Sequence, residues 1–159
     1  MNLAVELYKQ ILQKGAVVLR GWNKALIFRK IAHLLMSQGE HKEAMKMLDE
    51  GKSFILEGDE SLEAGLFSSS FALAEFKLGN YGESLRFSNR AEQLIREKGD
   101  GTDRLKREIL NDRLIDAGIL LYRGKLGESR KQFRELLVEA EHLGFDAAAR
   151  APSNDGSLR

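Results

Sequence analysis

The side chains able to act on a bound molecule are few and scattered along the chain. The three histidines are His33, His41 and His142. His33 and His41 stand eight apart on opposite sides of Gly39, which is neither HExxH nor another familiar ligand spacing. They read as groove or surface histidines, and no metal is expected. Ser68-Ser69-Ser70 has no histidine nearby and lies inside a helical pattern, so it reads as a polar patch on a helix face rather than a nucleophile. Asp49-Glu50 and Asp59-Glu60 could suggest paired carboxylates, but acids are ordinary at helix ends. The glycines form neither GxGxxG nor a P-loop, which leaves nucleotide binding without support. Arg90, Arg96, Lys98, Arg104, Lys106 and Arg107 cluster, but Glu92, Glu97, Asp100, Asp103 and Glu108 interleave with them. The local charge stays near zero, as on a solvated face, and no nucleic-acid partner is expected. The expectation is a protein with no catalytic residue and no cofactor, hence not an enzyme.

Composition narrows the class further. The chain has 159 residues, 43% of them apolar and 31% charged, with one proline and no cysteine. That length suits one compact domain or a short array of stacked units, and the apolar fraction argues against disorder. Without cysteine there is no disulfide framework, no thiolate nucleophile and no thiolate zinc site. Lys and Arg total 25 against 24 Asp and Glu, so the global charge steers the molecule toward neither nucleic acid nor an anionic membrane. No apolar stretch approaches a membrane span, and Glu6 interrupts the first apolar run. A cytoplasmic location without membrane association is the expectation.

The positioning elements emerge from internal repetition. A pattern of Gly, three residues, Glu, then Ala or Ser occurs at Gly39 to Ala44, Gly79 to Ser84 and Gly124 to Ser129. The small residues 44, 84 and 129 lie 40 and 45 positions apart, and twelve residues before each stands an alanine, Ala32, Ala72 or Ala117. A helix stopped by a left-handed glycine, a short turn and a second helix make an antiparallel hairpin. Folding it brings each alanine opposite its small partner, and only small side chains let the helices approach. The opening segment from Ala4 to Leu12 fits a second helix lacking its first, as if the chain began halfway through a repeat.

Three- and four-residue apolar spacing, as in Leu66, Phe67, Phe71, Ala74 and Leu78, marks seven helices and no strands. The first covers Leu3 to Lys14 and stops at Gly15; residues 15 to 21 are ambiguous between a loop and an early start of the next. Asn23 caps the second helix, with Trp22 and Ile27 as a hydrophobic staple, and that helix runs to Gln38. The third runs from His41 to Leu56, and Asp59 caps the fourth, Glu60 to Leu78. The fifth is Tyr81 to Lys98. Thr102 or Asp103 caps the sixth, which ends at Arg123, and the seventh spans Leu126 to Leu143. Residues 1–144 form the repeat domain, as a half repeat (2–14) and hairpins 22–57, 59–98 and 102–143. Residues 145–159 read as a partial helix and a disordered tail.

The segment from Leu78 to Leu85, with Ala91 and with Ala72 on the preceding helix, resembles the turn and second helix of tetratricopeptide repeats. The resemblance covers about residues 2 to 143. The period exceeds the family's roughly 34 residues, and the proline that usually closes each repeat is absent. Longer repeats of this kind resemble those of bacterial signal-transduction activators of the maltose-regulator type and of scaffold proteins. HEAT and armadillo repeats have a suitable period but lack the Gly-turn-Glu-Ala/Ser signature.

The resemblance implies an all-α fold, a short right-handed solenoid of stacked hairpins whose first helices line a concave groove. It places Arg29, His33, Met36 and Ser37 there from the second helix, and Leu66, Ser69, Leu73, Phe76 and Lys77 from the fourth. From the sixth come Asn111, Leu114, Gly118, Leu121 and Tyr122. Ser69 and Leu73 stand where the family's carboxylate clamp has polar members, so a mostly apolar groove rimmed by Arg29 and Lys77 is expected to hold an amphipathic helix or extended segment. The implied function is a non-catalytic interaction module whose partner is a protein or peptide. The alternative is a sensor segment of a signalling or transcription activator that binds a small effector or regulator. The half repeat leaves Val5, Leu7, Tyr8, Ile11 and Leu12 partly uncovered, from which a homodimer through terminal helices is expected, with Val5, Tyr8 and Leu12 in its interface.

Overall fold

A computed structural model of the protein describes residues 3–14, 21–55 and 58–144, apart from the side chains of Leu12, Lys14, Trp22 and Asn23. The helices among the described residues are α1 (Leu3–Lys14), α2 (Gly21–Ser37), α3 (His41–Lys52), α4 (Leu62–Lys77), α5 (Tyr81–Lys98), α6 (Asp103–Tyr122) and α7 (Leu126–His142). No strand occurs among the described residues, so the chain is all-α as its periodicity predicts.

The three signature glycines build one turn three times. Gly39, Gly79 and Gly124 have φ of 80°, 82° and 79°, a left-handed conformation in which a Cβ would be strained. Each glycine N–H donates to the carbonyl three residues back, at 3.1, 3.0 and 3.0 Å. The N–H of the next residue donates to the carbonyl five back, at 2.9, 2.8 and 2.9 Å, completing a Schellman closure. Glu40, Asn80 and Lys125 then enter the following helix with φ near −85° and ψ of 62°, 69° and 66°.

The small residues meet across these turns. The Ser84 hydroxyl donates to the Ala72 carbonyl at 2.7 Å, and the Ser129 hydroxyl donates to the Ala117 carbonyl at 2.9 Å. Ala32, Ala44, Ala72, Ala117 and both serines are at most 1% exposed. Serine therefore substitutes for alanine at two of these sites without leaving its hydroxyl unpaired, because the facing helix offers a carbonyl at the right place.

Three helix boundaries differ from the sequence reading by more than one residue. The second helix begins at Gly21, which puts Asn23 in its first turn instead of at the cap; the Trp22 staple and residues 15–20 lie outside the described side chains and residues. The third ends at Lys52 rather than Leu56. There Ser53, Phe54 and Ile55 donate to carbonyls three back, and Phe54 stacks on Phe28 with centroids 5.8 Å apart. The fourth begins at Leu62, because Ser61 is its cap and accepts from Ala64 N–H at 3.2 Å. Asp59 acts one step earlier, accepting from Ser61 N–H at 2.8 Å. Thr102 precedes the sixth helix as expected but makes no side-chain cap bond; Asp100 accepts from its N–H at 3.1 Å.

The most extensive contacts pair α2 with α3, α4 with α5 and α6 with α7. Between pairs, α4 touches α2, α3 and α6, α5 touches α6, and α1 touches α2. Gly51 marks the junction of α2, α3 and α4. A Cβ there would stand 2.7 Å from Phe28 Cβ and 2.8 Å from Phe67 Cζ, so glycine lets the two phenylalanines close over the third helix. The largest apolar cluster draws on α1 to α4, including Val5, Ile31, Leu35, Leu48, Phe67 and Phe71.

The seams give a graded expectation for stability. Ser84→Ala removes one hydrogen bond and lowers stability by about 1 kcal/mol, whereas Ser84→Leu forces the helices apart and lowers it by about 2–3 kcal/mol. Ser129 follows the same order. Urea unfolding of the four variants checks this; a leucine tolerated as well as alanine would contradict the close approach.

Candidate functional site

Polar side chains converge where α2, α4 and α6 come together. Arg29 sits on α2 one turn before His33, so both reach the same face of α4. Arg29 Nε–H donates to Ser70 Oγ at 2.7 Å, and His33 Nε2 is 2.8 Å from the same oxygen. Ser70 Oγ also lies 3.3 Å from the Leu66 carbonyl oxygen. Whichever His33 tautomer is present, the hydroxyl is satisfied within the protein. It is also buried at 1% exposure, so no substrate reaches it as a nucleophile. Sequence proximity gave Ser70 no histidine; the fold supplies one 37 residues away.

The same face reaches α6. Arg29 Nη2 approaches Glu108 Oε2 at 3.8 Å, spanning α2 to α6 across α4. Ser69 Oγ lies 2.7 and 2.9 Å from the two carboxyl oxygens of buried Asp112, and Ser88 Oγ on α5 donates to Asp116 Oδ1 at 2.5 Å. Burial raises the Asp112 carboxyl to about 8; the Ser69 hydrogen bond opposes this, while Glu108, Asp116 and Glu92 reinforce it. Burial also raises Asp116, against its bond from Ser88. His33 shifts the other way, down to about 4, through desolvation and then the charges of Arg29 and Lys30. Its ring is exposed overall, but Nε2 is turned inward to Ser70. At neutral pH both Asp112 and His33 are therefore predominantly uncharged. The seam between α4 and α6 is held by neutral hydrogen bonds with one long ion pair above them.

Nine of the sequence-derived groove residues divide into three groups. Arg29, His33 and Ser69 join this network, with Ser69 buried. Phe76 and Tyr122 come together with Tyr81: Phe76 lies 5.9 Å from each of the tyrosine rings, and Tyr81 stacks on Tyr122 at 5.7 Å. Met36 is core, Leu73 is half-buried between two apolar clusters, and Lys77 and Asn111 are exposed outside both groups. Of the expected self-association residues, Val5 is buried in the core cluster and Tyr8 is half-buried; the Leu12 side chain lies outside the described residues.

Several hollows among the described residues offer room for a ligand or partner. Arg29, Lys30, His33, Leu34 and Glu108 line one of about 370 Å³ together with Ala4 and Tyr8. A larger one, about 550 Å³, opens between α3, α4 and α5, with Phe67, Phe71 and Phe87 among its apolar lining and Lys52 and Arg90 among its charges. Phe71 and Phe87 stack there at 5.0 Å. A third, again about 370 Å³, lies on α6 and α7, lined by Leu121, Leu126, Arg130, Phe133, Arg134 and Leu137. The second of these did not figure among the sequence candidates, and of the third's lining only Leu121 did. A fourth, of about 360 Å³, is lined by Arg96, Lys106, Ile109, Arg113, Glu139, His142 and Leu143. No helix among the described residues is long and apolar enough to cross a membrane.

No family model, curated protein or solved structure matches the chain.

The uncharged network has a pH signature. The raised Asp112 value means that the folded state holds a proton the unfolded chain has lost; that contribution is complete below about 4 and is lost as pH rises through about 8. His33 works oppositely, its contribution being present above its ordinary 6.5 and lost as pH falls through about 4. Between pH 6 and pH 9 the wild-type Tm should fall by about 5–10 °C more than that of Asp112→Asn. Thermal melts at the two pH values check this, and equal falls would contradict it.

Proposed function

We propose that the protein is a tetratricopeptide-like interaction module, a short curved array of three hairpins (α2/α3, α4/α5 and α6/α7) preceded by α1, which binds a segment of another protein. The observation that carries this reading is the threefold reuse of one turn with one buried small-residue seam. Such hairpins bury their apolar faces by adding neighbours, and the backbone packing agrees: helices of each pair approach closely only those of the pairs beside it in sequence, while the Arg29 side chain reaches from the first pair to Glu108 on the third. Curvature is supported by an asymmetry. α4 approaches both α2 and α6, while α3 and α5 make no close backbone contact and the 550 Å³ hollow lies between them. The α2, α4 and α6 side is then the concave one.

On that side the middle of the groove is occupied by the molecule's own side chains, because Arg29 reaches Glu108 over α4. The room left to a partner lies on either side of this strap: the hollow of Tyr8, Lys30 and His33, and the aromatic ledge of Phe76 and Tyr122. Protein segments are suited to such divided surfaces, since separate side chains can enter separate pockets along one backbone.

A second reading, a regulatory sensor for a small effector, draws on the 550 Å³ hollow. Its volume suits a small molecule, and it joins an aromatic floor to Lys52 and Arg90, although Asp49 and Asp59 temper their charge.

Peptide-display selection on the immobilised full chain, alongside thermal melts against a metabolite panel, separates the two. The interaction module should enrich related sequences whose synthetic versions bind with micromolar Kd and leave the Tm indifferent to metabolites. An absence of enriched peptides, with a metabolite raising the Tm by several degrees through linkage, would overturn it in favour of the sensor.

A further inference from the structure

We propose that the open side of α6 and α7 is a docking groove for an amphipathic helix of another protein, one bearing carboxylates beside its apolar stripe. This rests on the interaction-module reading and names a surface and partner chemistry for it.

The argument begins from register. Positions on α6 and α7 lie 45 residues after their counterparts on α4 and α5, as Ser129 follows Ser84. On the earlier pair, the residues facing onward are covered by α6. Ser69 bonds to Asp112, Phe76 packs on Tyr122 and Ser88 bonds to Asp116. Their counterparts are Leu114, Leu121 and Phe133, and Leu137 follows one turn after Phe133. The face that receives a helix on one hairpin is repeated on the next with its polar serines replaced by apolar side chains. Among the described residues nothing covers it: Leu121 is 47% and Leu137 58% exposed, and Leu126 is 57% exposed on the same groove. From Leu126 to Leu137 the groove runs about 16 Å at 1.5 Å per residue, the length of three helical turns.

Charge chooses the occupant. Arg130 and Arg134 are the charged residues in the lining of this hollow, and neither has an ion pair or hydrogen bond among the described residues. By helical period, Glu128, Glu135 and Glu139 stand on the opposite side of α7, leaving Glu141 at the far end of the groove side. Two unpaired guanidinium groups beside an apolar floor favour a helix carrying Glu or Asp at the edges of its stripe. A second copy fits poorly. Its exposed α1 stripe of Leu3, Leu7 and Ile11 comes with Lys9 and Lys14 against a single Glu6, and two α7 faces would oppose arginine to arginine.

The test uses the full chain and a fluorescein-labelled 18-residue helical peptide with leucines at i, i+3, i+4 and i+7 and glutamates flanking them. A matched peptide has lysines in place of the glutamates. Fluorescence anisotropy should show the acidic peptide binding at micromolar concentration and the basic one binding at least about tenfold more weakly, a difference of about 1.4 kcal/mol. Leu137→Glu should weaken the acidic peptide by about tenfold or more. Arg130→Glu with Arg134→Glu should reverse the preference between the two peptides. All three positions are exposed, and unchanged circular dichroism would show the variants folded. Acidic-peptide binding indifferent to these substitutions would overturn the groove. If display-selected peptides still bound the same variants, the interaction-module reading would stand while the groove fell. Dimerisation abolished by Leu137→Glu in sedimentation velocity would instead assign the groove to a second copy. Displacement of the probe by a synthetic peptide of residues 145–159 would assign it to the chain itself. Either result overturns the proposed partner.

Discussion

Everything in this molecule depends on two antiparallel helices being able to come unusually close. That approach needs a turn tight enough to reverse the chain within a few residues, and contact positions with almost no side chain. The left-handed glycines at 39, 79 and 124 meet the first requirement, and the pairs 32/44, 72/84 and 117/129 meet the second. The two are linked. The turn sets the register of the second helix against the first, and that register decides which residues must be small. The serine-to-carbonyl bonds at 84 and 129 show how finely the register is set, since a helix sliding by one residue would leave a buried hydroxyl without its acceptor. Once each hairpin is narrow, its large apolar residues project outward, where they need a neighbour to cover them.

How neighbours are joined differs along the chain. Between α2 and α4 the junction is apolar beside α3, where Gly51 leaves room for both Phe28 and Phe67, and polar where Arg29 and His33 reach Ser70. Toward α6 it becomes polar, through Ser69 to Asp112 and Ser88 to Asp116. Burial in these seams raises both carboxyls, because the serines provide too little solvation to replace water. The polar seams specify which faces pair. An alternative packing would bury the same acids without a hydroxyl partner, which is unfavourable wherever it occurs. At α6 and α7 the onward face turns apolar again, with Leu121, Phe133 and Leu137 in the positions that would meet a further element.

What could be read from the residues alone followed from sequence distance. The turns and small-residue seams involve partners within twelve positions, and glycine and alanine announce them directly. Helix ends were harder. Asp59 and Ser61 are both good caps, and only the geometry shows the aspartate preparing a turn for the serine. The polar network was not legible as a list of neighbours, because Ser70 finds Arg29 and His33 at separations of 41 and 37 residues, and Ser69 finds Asp112 at 43. Those separations lie close to the repeat period, however. Aligning the repeats and comparing the same face of successive first helices would have exposed the pairing. The α6/α7 groove was legible only in part: Leu114 and Leu121 are expected in a groove, whereas Phe133 and Leu137 look like core until register places them on the same partly uncovered face. Met36 and Val5 erred in the opposite direction: each was expected at a binding surface, yet each completes the interior.

Alanine methyl groups provide the most direct test of the narrow, sequentially joined hairpins. In a nuclear Overhauser spectrum of the full chain with labelled alanine methyls, Ala32 should give a cross-peak to Ala44, and the Ala72 and Ala117 backbones should give cross-peaks to the β-protons of Ser84 and Ser129. No cross-peak should join residues of α2 or α3 to α7. Absence of the three seam cross-peaks, or a set of contacts closing α2 or α3 onto α7 as in a single bundle, would contradict it.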